Sequence, residues 1–186
     1  EEWTMFNRYN EASGSTGIRL DFYTDSSSFY FRGIAGKKFE LFVNGESVKI
    51  SSDGYIEAEL DNTQENRVTL LFPNHQVNAT LYELRLDEGA SIRPYEYSRK
   101  FLIVGDSITQ GIGTPLNSYA HWNAVLSEML GEEYSFWNLG LGYGRANDAA
   151  TDGAWLYKAK QNDVVFVCFG VNDIFRIPSE DQIKAD

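Results

Sequence analysis

The two halves of the chain differ in how apolar and polar residues alternate. Up to about residue 97, short segments such as "GIRLDFYT" and "GYIEAELD" place apolar residues at every second position, as half-buried strands do. Asn44-Gly45 separates two such segments and favours a two-residue hairpin, because both central residues adopt positive φ. About seven strands of this kind, without a helical pattern of useful length, predict an antiparallel, jelly-roll-like β-sandwich over residues 1–97.

The pattern changes after Ser98, where strand-like and helical segments alternate. The unbroken apolar run Phe101–Val104 predicts a buried strand, and "YSFWNLG" and "DVVFVCFG" predict two more. Between them, "NSYAHWNAVLSEML" carries apolar residues at helical spacing, and a second helical stretch runs from about Arg145 to Lys160. Such alternation is typical of a parallel sheet with right-handed crossovers, so residues 98–186 are predicted to form an α/β domain.

Each of the three strands predicted in this second half ends in a loop that contains glycine. Loop one comprises residues 105–109, loop two residues 138–145 and loop three residues 170–173. Because parallel strands point the same way, we expect these loops at one edge of the sheet, where open α/β sheets bind ligands. The three loops together are therefore the candidate functional site.

Composition narrows the classes of partner. The 186 residues are 42% hydrophobic and 15% aromatic, which is typical of a folded globular protein. A net charge of -11 argues against nucleic acid and against an anionic membrane surface as partners. No apolar stretch approaches the roughly 20 residues that span a bilayer. The single cysteine, Cys168, allows no intrachain disulfide; it fits the cytosol without excluding export, so the compartment stays open.

Two kinds of ligand site fit these loops poorly. A phosphate-binding P-loop needs a lysine that loops one and two lack. The dinucleotide fingerprint is matched only in part, because "GLGYGRA" has Arg145 at the last required glycine and follows the second strand of the α/β half. No cluster of His, Cys and carboxylates has the spacing of metal ligands, so we predict neither a metal nor another cofactor.

A serine nucleophile fits the loops better. Ser107 follows the first strand of the α/β half directly, although the Gly-x-Ser-x-Gly motif of the α/β-hydrolases is absent. Attack of its hydroxyl on an ester carbonyl creates an oxyanion that needs fixed hydrogen-bond donors. Glycines in loop two let backbone N–H groups approach closely, and Asn172 in loop three offers a neutral amide donor. This combination predicts acyl transfer.

The segments "GDSIT", "NLGLGYG" and "GVND", within residues 100–175, resemble the sequence blocks of the SGNH (GDSL-type) hydrolases. The resemblance implies a flavodoxin-like three-layer α/β/α domain and ester hydrolysis. It makes Ser107 the nucleophile, and an oxyanion hole would combine the Ser107 N–H, a loop-two N–H and the Asn172 amide. Tyr143 stands where the family has a further glycine, so Gly142, Tyr143 and Gly144 are all candidate donors; we favour Gly142.

A β-sandwich directly before such a domain is similar to the family-two carbohydrate esterases and to related two-domain acyl hydrolases and acyltransferases. This resemblance implies a small O-acyl ester, typically acetyl, on a carbohydrate. Two alternatives remain open. One is an acyltransferase that uses the same nucleophile, and the other is a non-catalytic carbohydrate-binding protein. The sequence does not identify the ester or the oligomeric state.

The general base that the family uses is not found in this sequence. The family places it in a late Asp-x-x-His block, whereas His75 and His121 lack that context and are expected to have structural roles. We therefore expect the chain to be part of a longer one, in which the remainder of the catalytic domain supplies the base and about two further strands. The 186 residues alone are expected to have almost no esterase activity and poor stability.

Other polar and aromatic residues are expected to have structural roles. Asp106 and Asp173 are expected to cap turns or helices rather than transfer protons. Arg145 is expected to be an exposed arginine at the start of a helix. The core or the domain interface is the expected place for three aromatic residues: Trp3, Tyr95 and Tyr97.

Overall fold

The computed structural model describes residues 17–73, 80–115, 121–152, 155–176, 179 and 181. In the first part of the chain, the elements that the structure describes are all β-strands. Its strands are β1 (Arg19–Thr24), β2 (Ser28–Gly33), β3 (Phe39–Val43), β4 (Glu46–Ser51), β5 (Tyr55–Glu59), β6 (Asn66–Leu71), β7 (Leu81–Arg85) and β8 (Ile92–Pro94).

These strands form two antiparallel sheets that share one core. The first sheet has the order β4-β3-β6-β1-β8 and the second the order β5-β2-β7. Alternate side chains of both sheets point inward, and the largest fully buried ones include Phe29, Phe31, Phe39, Leu41 and Ile56. The predicted β-sandwich is confirmed.

The predicted hairpin is also present, between β3 and β4. Asn44 and Gly45 have φ angles of 52° and 86°, the left-handed conformation that a type I′ turn requires at both central positions. The described residues contain one more strand than the seven expected. The additional strand β8 is three exposed residues long and ends in proline, so it has no apolar alternation to reveal it.

The second part of the chain is an α/β structure. Its strands are β9 (Arg99–Gly105), β10 (Tyr134–Gly140) and β11 (Val164–Cys168), and its helices are α1 (Ser107–Gln110), α2 (Trp122–Leu130), α3 (Ala146–Asp152), α4 (Trp155–Ala159) and α5 (Val171–Arg176). The strands pair in parallel in the order β10-β9-β11. The α/β class expected for this part is confirmed.

The outer strand β11 exposes apolar side chains. Phe166 is 40% and Val167 60% exposed, and the following helix α5 exposes Ile174 at 66% and Phe175 at 80%. Strands of parallel sheets are normally covered on both faces. The described residues leave this end of the sheet uncovered.

The helical stretch expected from Arg145 to Lys160 is represented among the described residues by α3 and α4. Helix α2 differs from the sequence prediction in which face it buries. On α2, the apolar face indicated by the helical spacing is turned outward: Trp122 is 39% exposed and Met129 is 78% exposed, whereas Asn123 and Ser127 are buried. Among the helices that the structure describes, we find none with the length and apolarity to cross a membrane.

An arginine of the sandwich connects the two parts of the chain. Arg67 on β6 donates from Nη2 and Nε to the Asp21 carboxylate at 2.9 and 3.0 Å, and from Nη1 to Glu132, which follows α2. Its guanidinium also lies 3.5 Å from the centre of the Tyr95 ring. The hydroxyl of Tyr97 donates to Asp21 as well. Tyr95 and Tyr97 therefore belong to the contact region between the parts, as expected.

We expect Arg67→Met to be strongly destabilising. The Asp21 side chain is only 5% exposed, so the substitution leaves a buried carboxylate without its cation, which costs about 3–5 kcal/mol. Glu132→Gln is the matched control, because Glu132 is 65% exposed and its ion pair is worth only about 0–1 kcal/mol. Urea unfolding followed by circular dichroism measures both. Equal losses in the two variants would contradict this view of the network.

Candidate active site

The parallel register brings the ends of the three strands to one level. Gly105 at the end of β9 lies opposite Gly140 at the end of β10 and opposite Cys168 at the end of β11. Loops one, two and three therefore leave the same edge of the sheet, as the sequence predicted. The central strand, β9, is the one that leads to Ser107.

Asp106 and Ser107 form the start of helix α1. Asp106 is the N-cap, and its side chain accepts a hydrogen bond from the Ile108 N–H at 2.9 Å. Ser107 is the first helical residue and is half-buried. The first N–H groups of a helix have no partner within the helix and point out of its amino end. Ser107 thus lies where such donors converge, and the expected capping role of Asp106 is observed.

Loop two lies in direct contact with α1 because Gly140 has no side chain. A Cβ at Gly140 would lie 2.1 Å from the Gln110 nitrogen and 2.5 Å from its Cα. A Cβ at Gly105 would similarly lie 2.6 Å from the Cys168 carbonyl oxygen. Both distances are far below van der Waals contact. Strand β10 can approach α1 this closely, and β9 can approach β11, only with glycine at these two positions.

A tight turn orders the main chain of loop two. The Leu141 N–H donates to the Gly105 carbonyl at 2.8 Å, and the Gly144 N–H donates to the Leu141 carbonyl at 3.0 Å. Tyr143, between them, has a φ of 65°. Since the Gly144 N–H is already used, it is the weakest of the three oxyanion donors considered. Gly142 donates to no backbone carbonyl of the described residues.

Loop three is tied to loop two by two adjacent side chains. The Asn172 amide donates to the Gly144 carbonyl at 3.0 Å. The Asp173 carboxylate accepts from the Ala146 N–H, at the start of α3, at 3.1 Å. An amide nitrogen carries two N–H donors, so Asn172 keeps a second one for a ligand. The capping role expected for Asp173 is observed, on α3.

Two carboxyl groups are buried at this edge of the sheet. Asp106 and Asp173 are each 3% exposed. Burial raises the pKa of Asp106 above its ordinary value of 3.8; the Ile108 N–H acts in the opposite direction and the charge of Asp173 raises the pKa further. Burial and the charge of Asp106 likewise raise the pKa of the Cys168 thiol. The sheet edge from which Ser107 leaves therefore contains two carboxyl groups that are poorly solvated.

Asn138 is a structural residue of the site to which the sequence assigned no role. Its amide donates to the Thr109 carbonyl of α1 at 2.7 Å and to the Asn123 side chain of α2 at 3.3 Å, and its oxygen accepts from the Gly140 N–H at 2.8 Å. Asn123 also donates to the Thr109 carbonyl, at 3.3 Å. This buried network fixes α1 against β10 and α2. The Asn-x-Gly spacing in loop two is its only sequence signal.

The remaining candidates lie elsewhere or act locally. His121 is 2% exposed at the N-cap position of α2, and the described contacts do not connect it with Ser107. Arg145, expected to be exposed, directly precedes α3, is partly buried and pairs with Asp148 of that helix. His75 and Trp3 lie outside the described residues. Among the residues that the structure does describe, no three His, Cys, Asp or Glu side chains form a group that could hold a metal ion.

A protein-family model matches the α/β part of the chain. Residues 103–186 match the GDSL-like lipase/acylhydrolase family. The match confirms the resemblance to GDSL-type hydrolases, and it covers all three loops of this GDSL-like segment. No curated protein matches the chain significantly.

Several solved structures are similar to the whole chain. A salicylyl-acyltransferase, SsfX3, from a tetracycline biosynthetic pathway is 20% identical, with a TM-score of 0.67, over 93% of this chain and 54% of its own. A family two carbohydrate esterase from Clostridium thermocellum, as an active-site mutant, is 13% identical, with a TM-score of 0.61, over 95% and 66%. An acetyl xylan esterase, Est2A, from Butyrivibrio proteoclasticus is 16% identical, with a TM-score of 0.54, over 88% and 60%.

These likenesses support the fold and its order of sandwich and α/β part. The identities are too low to transfer an activity, and the chain spans only about half to two thirds of the length of these structures. What the comparisons show is a sandwich followed by a GDSL-like segment.

Gly140→Ala is expected to displace loop two. The added Cβ meets main-chain atoms of α1 that cannot move aside, which costs about 1–3 kcal/mol or more. Gly142→Ala is the control, because its Cβ would lie 3.3 Å from the end of the flexible Gln110 side chain and the N–H is retained. We expect it to lose less than about 1 kcal/mol. Thermal unfolding of both variants tests the difference, and equal destabilisation would show that the close approach at Gly140 is not the decisive constraint.

Asp106→Asn is expected to change how stability depends on pH. Since folding raises the pKa of Asp106, its stabilising contribution is present below the ordinary pKa and is lost as the pH rises through the raised value. Asparagine keeps an oxygen for the Ile108 N–H but does not ionise. The stability of Asp106→Asn relative to wild type, measured as the difference between their free energies of unfolding, should therefore increase from about pH 3 to about pH 7. A pH-independent difference in urea unfolding would contradict this.

Proposed function

We propose that the full-length protein is a serine acyl hydrolase in which Ser107 is the nucleophile. The observation that carries the proposal is the register that brings the ends of β9, β10 and β11, and with them loops one, two and three, to one edge of the sheet. The Asn172 amide is bonded to the Gly144 carbonyl, which joins loops two and three at the edge to which Ser107 also belongs. This supplies a nucleophile and neutral donors in one place, as acyl transfer requires.

The reaction follows from these groups. The Ser107 Oγ attacks the ester carbonyl carbon and passes its proton to a general base, which gives a tetrahedral intermediate with a negatively charged oxygen. We assign stabilisation of that oxygen to the Ser107 N–H, the Gly142 N–H and the second N–H of Asn172. Collapse of the intermediate breaks the bond to the alcohol, which leaves with a proton, and water then hydrolyses the acyl-serine.

The general base is the missing element within the described residues. Neither His121 nor any other basic side chain described here has a contact with Ser107 that would activate it. We therefore expect the 186-residue chain by itself to hydrolyse esters very slowly. In the full-length protein we assign the base to a histidine, the usual partner of a catalytic serine.

The substrate class that we propose is a small O-acyl ester, in first place acetyl, on a carbohydrate. Support comes from the shared fold of the family two carbohydrate esterase and the acetyl xylan esterase. This is a fold-level argument, because site residues rather than folds determine the substrate.

Acyl transfer to an acceptor other than water is the second candidate. The solved acyltransferase aligns with 93% of the chain at a TM-score of 0.67, so the same fold accommodates that outcome. The two reactions share every step up to the acyl-serine. They differ only in whether water is excluded when the second acceptor arrives.

The full-length protein should be labelled by a fluorophosphonate at Ser107 and should hydrolyse p-nitrophenyl acetate. Ser107→Ala removes both activities, while Ser98→Ala, at the opposite end of β9, retains them. Asn172→Ala removes a donor to the oxyanion and should lower kcat about 10²–10³-fold. Asn162→Ala is its control, since that amide donates only to the Lys158 carbonyl, at 2.8 Å, before β11.

Absence of labelling in the folded full-length protein would overturn the proposal and favour a carbohydrate-binding role. Labelling with acyl transfer to an added alcohol, in preference to water, would assign the protein to the acyltransferases. Rapid hydrolysis by the 186-residue chain alone, lost in Ser107→Ala, would show that a base exists within it.

A further inference from the structure

We propose that Asp173 is a positioning residue, which with its neighbour Asn172 clamps the main chain of loop two in the arrangement that acyl transfer needs. The catalytic consequence rests on the proposed function, whereas the clamp is a feature of the fold. Asp173 would not contact the substrate. It would act through the position of the loop-two N–H groups and of the Asn172 amide.

The clamp binds one carbonyl group and one N–H group of the same short main-chain segment. Asn172 donates to the Gly144 carbonyl at 3.0 Å, and Asp173 accepts from the Ala146 N–H at 3.1 Å. The Arg145 N–H between them donates to Asp148 at 3.1 Å. Because adjacent side chains of α5 bind a carbonyl and an N–H two residues apart, the segment cannot shift along α5 without losing both bonds.

Asp173 is an unusual choice for a simple cap. Its side chain is 3% exposed, and its second carboxylate oxygen, Oδ2, is buried without a hydrogen-bond donor among the described residues. A buried carboxylate oxygen left in this state is unfavourable for stability. Asparagine would accept the same Ala146 N–H without a buried charge. The Asp173 side chain is therefore held by its bond to the Ala146 N–H while its second oxygen is desolvated without compensation.

The charge of the same carboxylate contributes to the raised pKa of Asp106, the residue that caps α1 and directly precedes Ser107. Asp173 is thus in contact with loop two through a hydrogen bond and coupled with loop one through charge. One buried group connects the three segments that carry the proposed nucleophile and oxyanion donors.

Two variants of Asp173 in the full-length protein test the clamp. Asp173→Ala loses the bond to Ala146, and we expect kcat for p-nitrophenyl acetate to fall about 10–100-fold with little change in KM, because misplaced donors act on the transition state. Asp173→Asn keeps an acceptor for the N–H and should restore kcat to within about fivefold of wild type. Circular dichroism establishes that each variant is folded.

A control for loss of an equivalent hydrogen bond lies at the other end of the sheet. Asp163 accepts the Lys100 N–H at 2.8 Å, where β9 and β11 begin. Asp163→Ala should reduce the midpoint of thermal unfolding without changing kcat or KM. A merely structural role for Asp173 would make Asp173→Ala behave in the same way, and that result would overturn the proposal.

Amide hydrogen exchange tests the clamp independently of any activity. Loss of the bond should increase the exchange rate of the Ala146 N–H about tenfold in Asp173→Ala but not in Asp163→Ala. If wild type is inactive and unlabelled by fluorophosphonate, the proposed function fails, and exchange alone decides on the clamp. Unchanged exchange at Ala146, or an unchanged kcat of Asp173→Ala in an active protein, contradicts the proposal.

Discussion

Contact between the main chain of loop two and helix α1 is the constraint on which the candidate site depends. At Gly140 a single added carbon would lie 2.1 Å from the Gln110 nitrogen. Since no side-chain atom lies between Gly140 and the main chain of α1, backbone contact sets the distance between the end of β10 and the helix. The sheet and the helix therefore fix the position of loop two relative to α1, the helix that begins with Ser107.

The sandwich takes part in this arrangement through its contacts with the sheet. A Cβ at Gly17 would lie 3.2 Å from the Cβ of Asn138, the residue that holds the Thr109 carbonyl of α1. Farther along the same side, Arg67 joins Asp21 of the sandwich to Glu132. The two parts are thus connected at both ends of β10. A displacement of the sandwich would therefore shift Asn138. Because Asn138 bonds to Thr109, it would also shift α1, the helix that begins with Ser107.

The sequence predicted those features that depend on local pattern. Alternation along the first 97 residues predicted the sandwich, and the apolar runs that end in glycine predicted three parallel strands with their loops at one edge. These are properties of single segments and of the direction of the chain. The residues Ser107, Gly142 and Asn172 came from the same reasoning together with the family resemblance, and the structure locates all three in the loops at that edge.

Features that depend on tertiary contacts were not predictable. The apolar face of α2 looked like a core face, yet the structure buries Asn123 instead, because its amide completes a hydrogen-bond network with Thr109 and Asn138. The short strand β8 likewise leaves no periodic signal. The choice among the candidate oxyanion donors of loop two could be narrowed only by the structure, in which the Gly144 N–H donates to the Leu141 carbonyl.

The outer strand β11 has a consequence for how the polypeptide behaves in solution. Among the described residues, no strand pairs with its outer edge, and Phe166 and Val167 are exposed, as is Phe175 on α5. Such an edge is a template for pairing with another chain. We therefore expect the 186-residue polypeptide to aggregate through this edge. Its rate of aggregation should depend more on concentration and temperature than on the stability of the sandwich core.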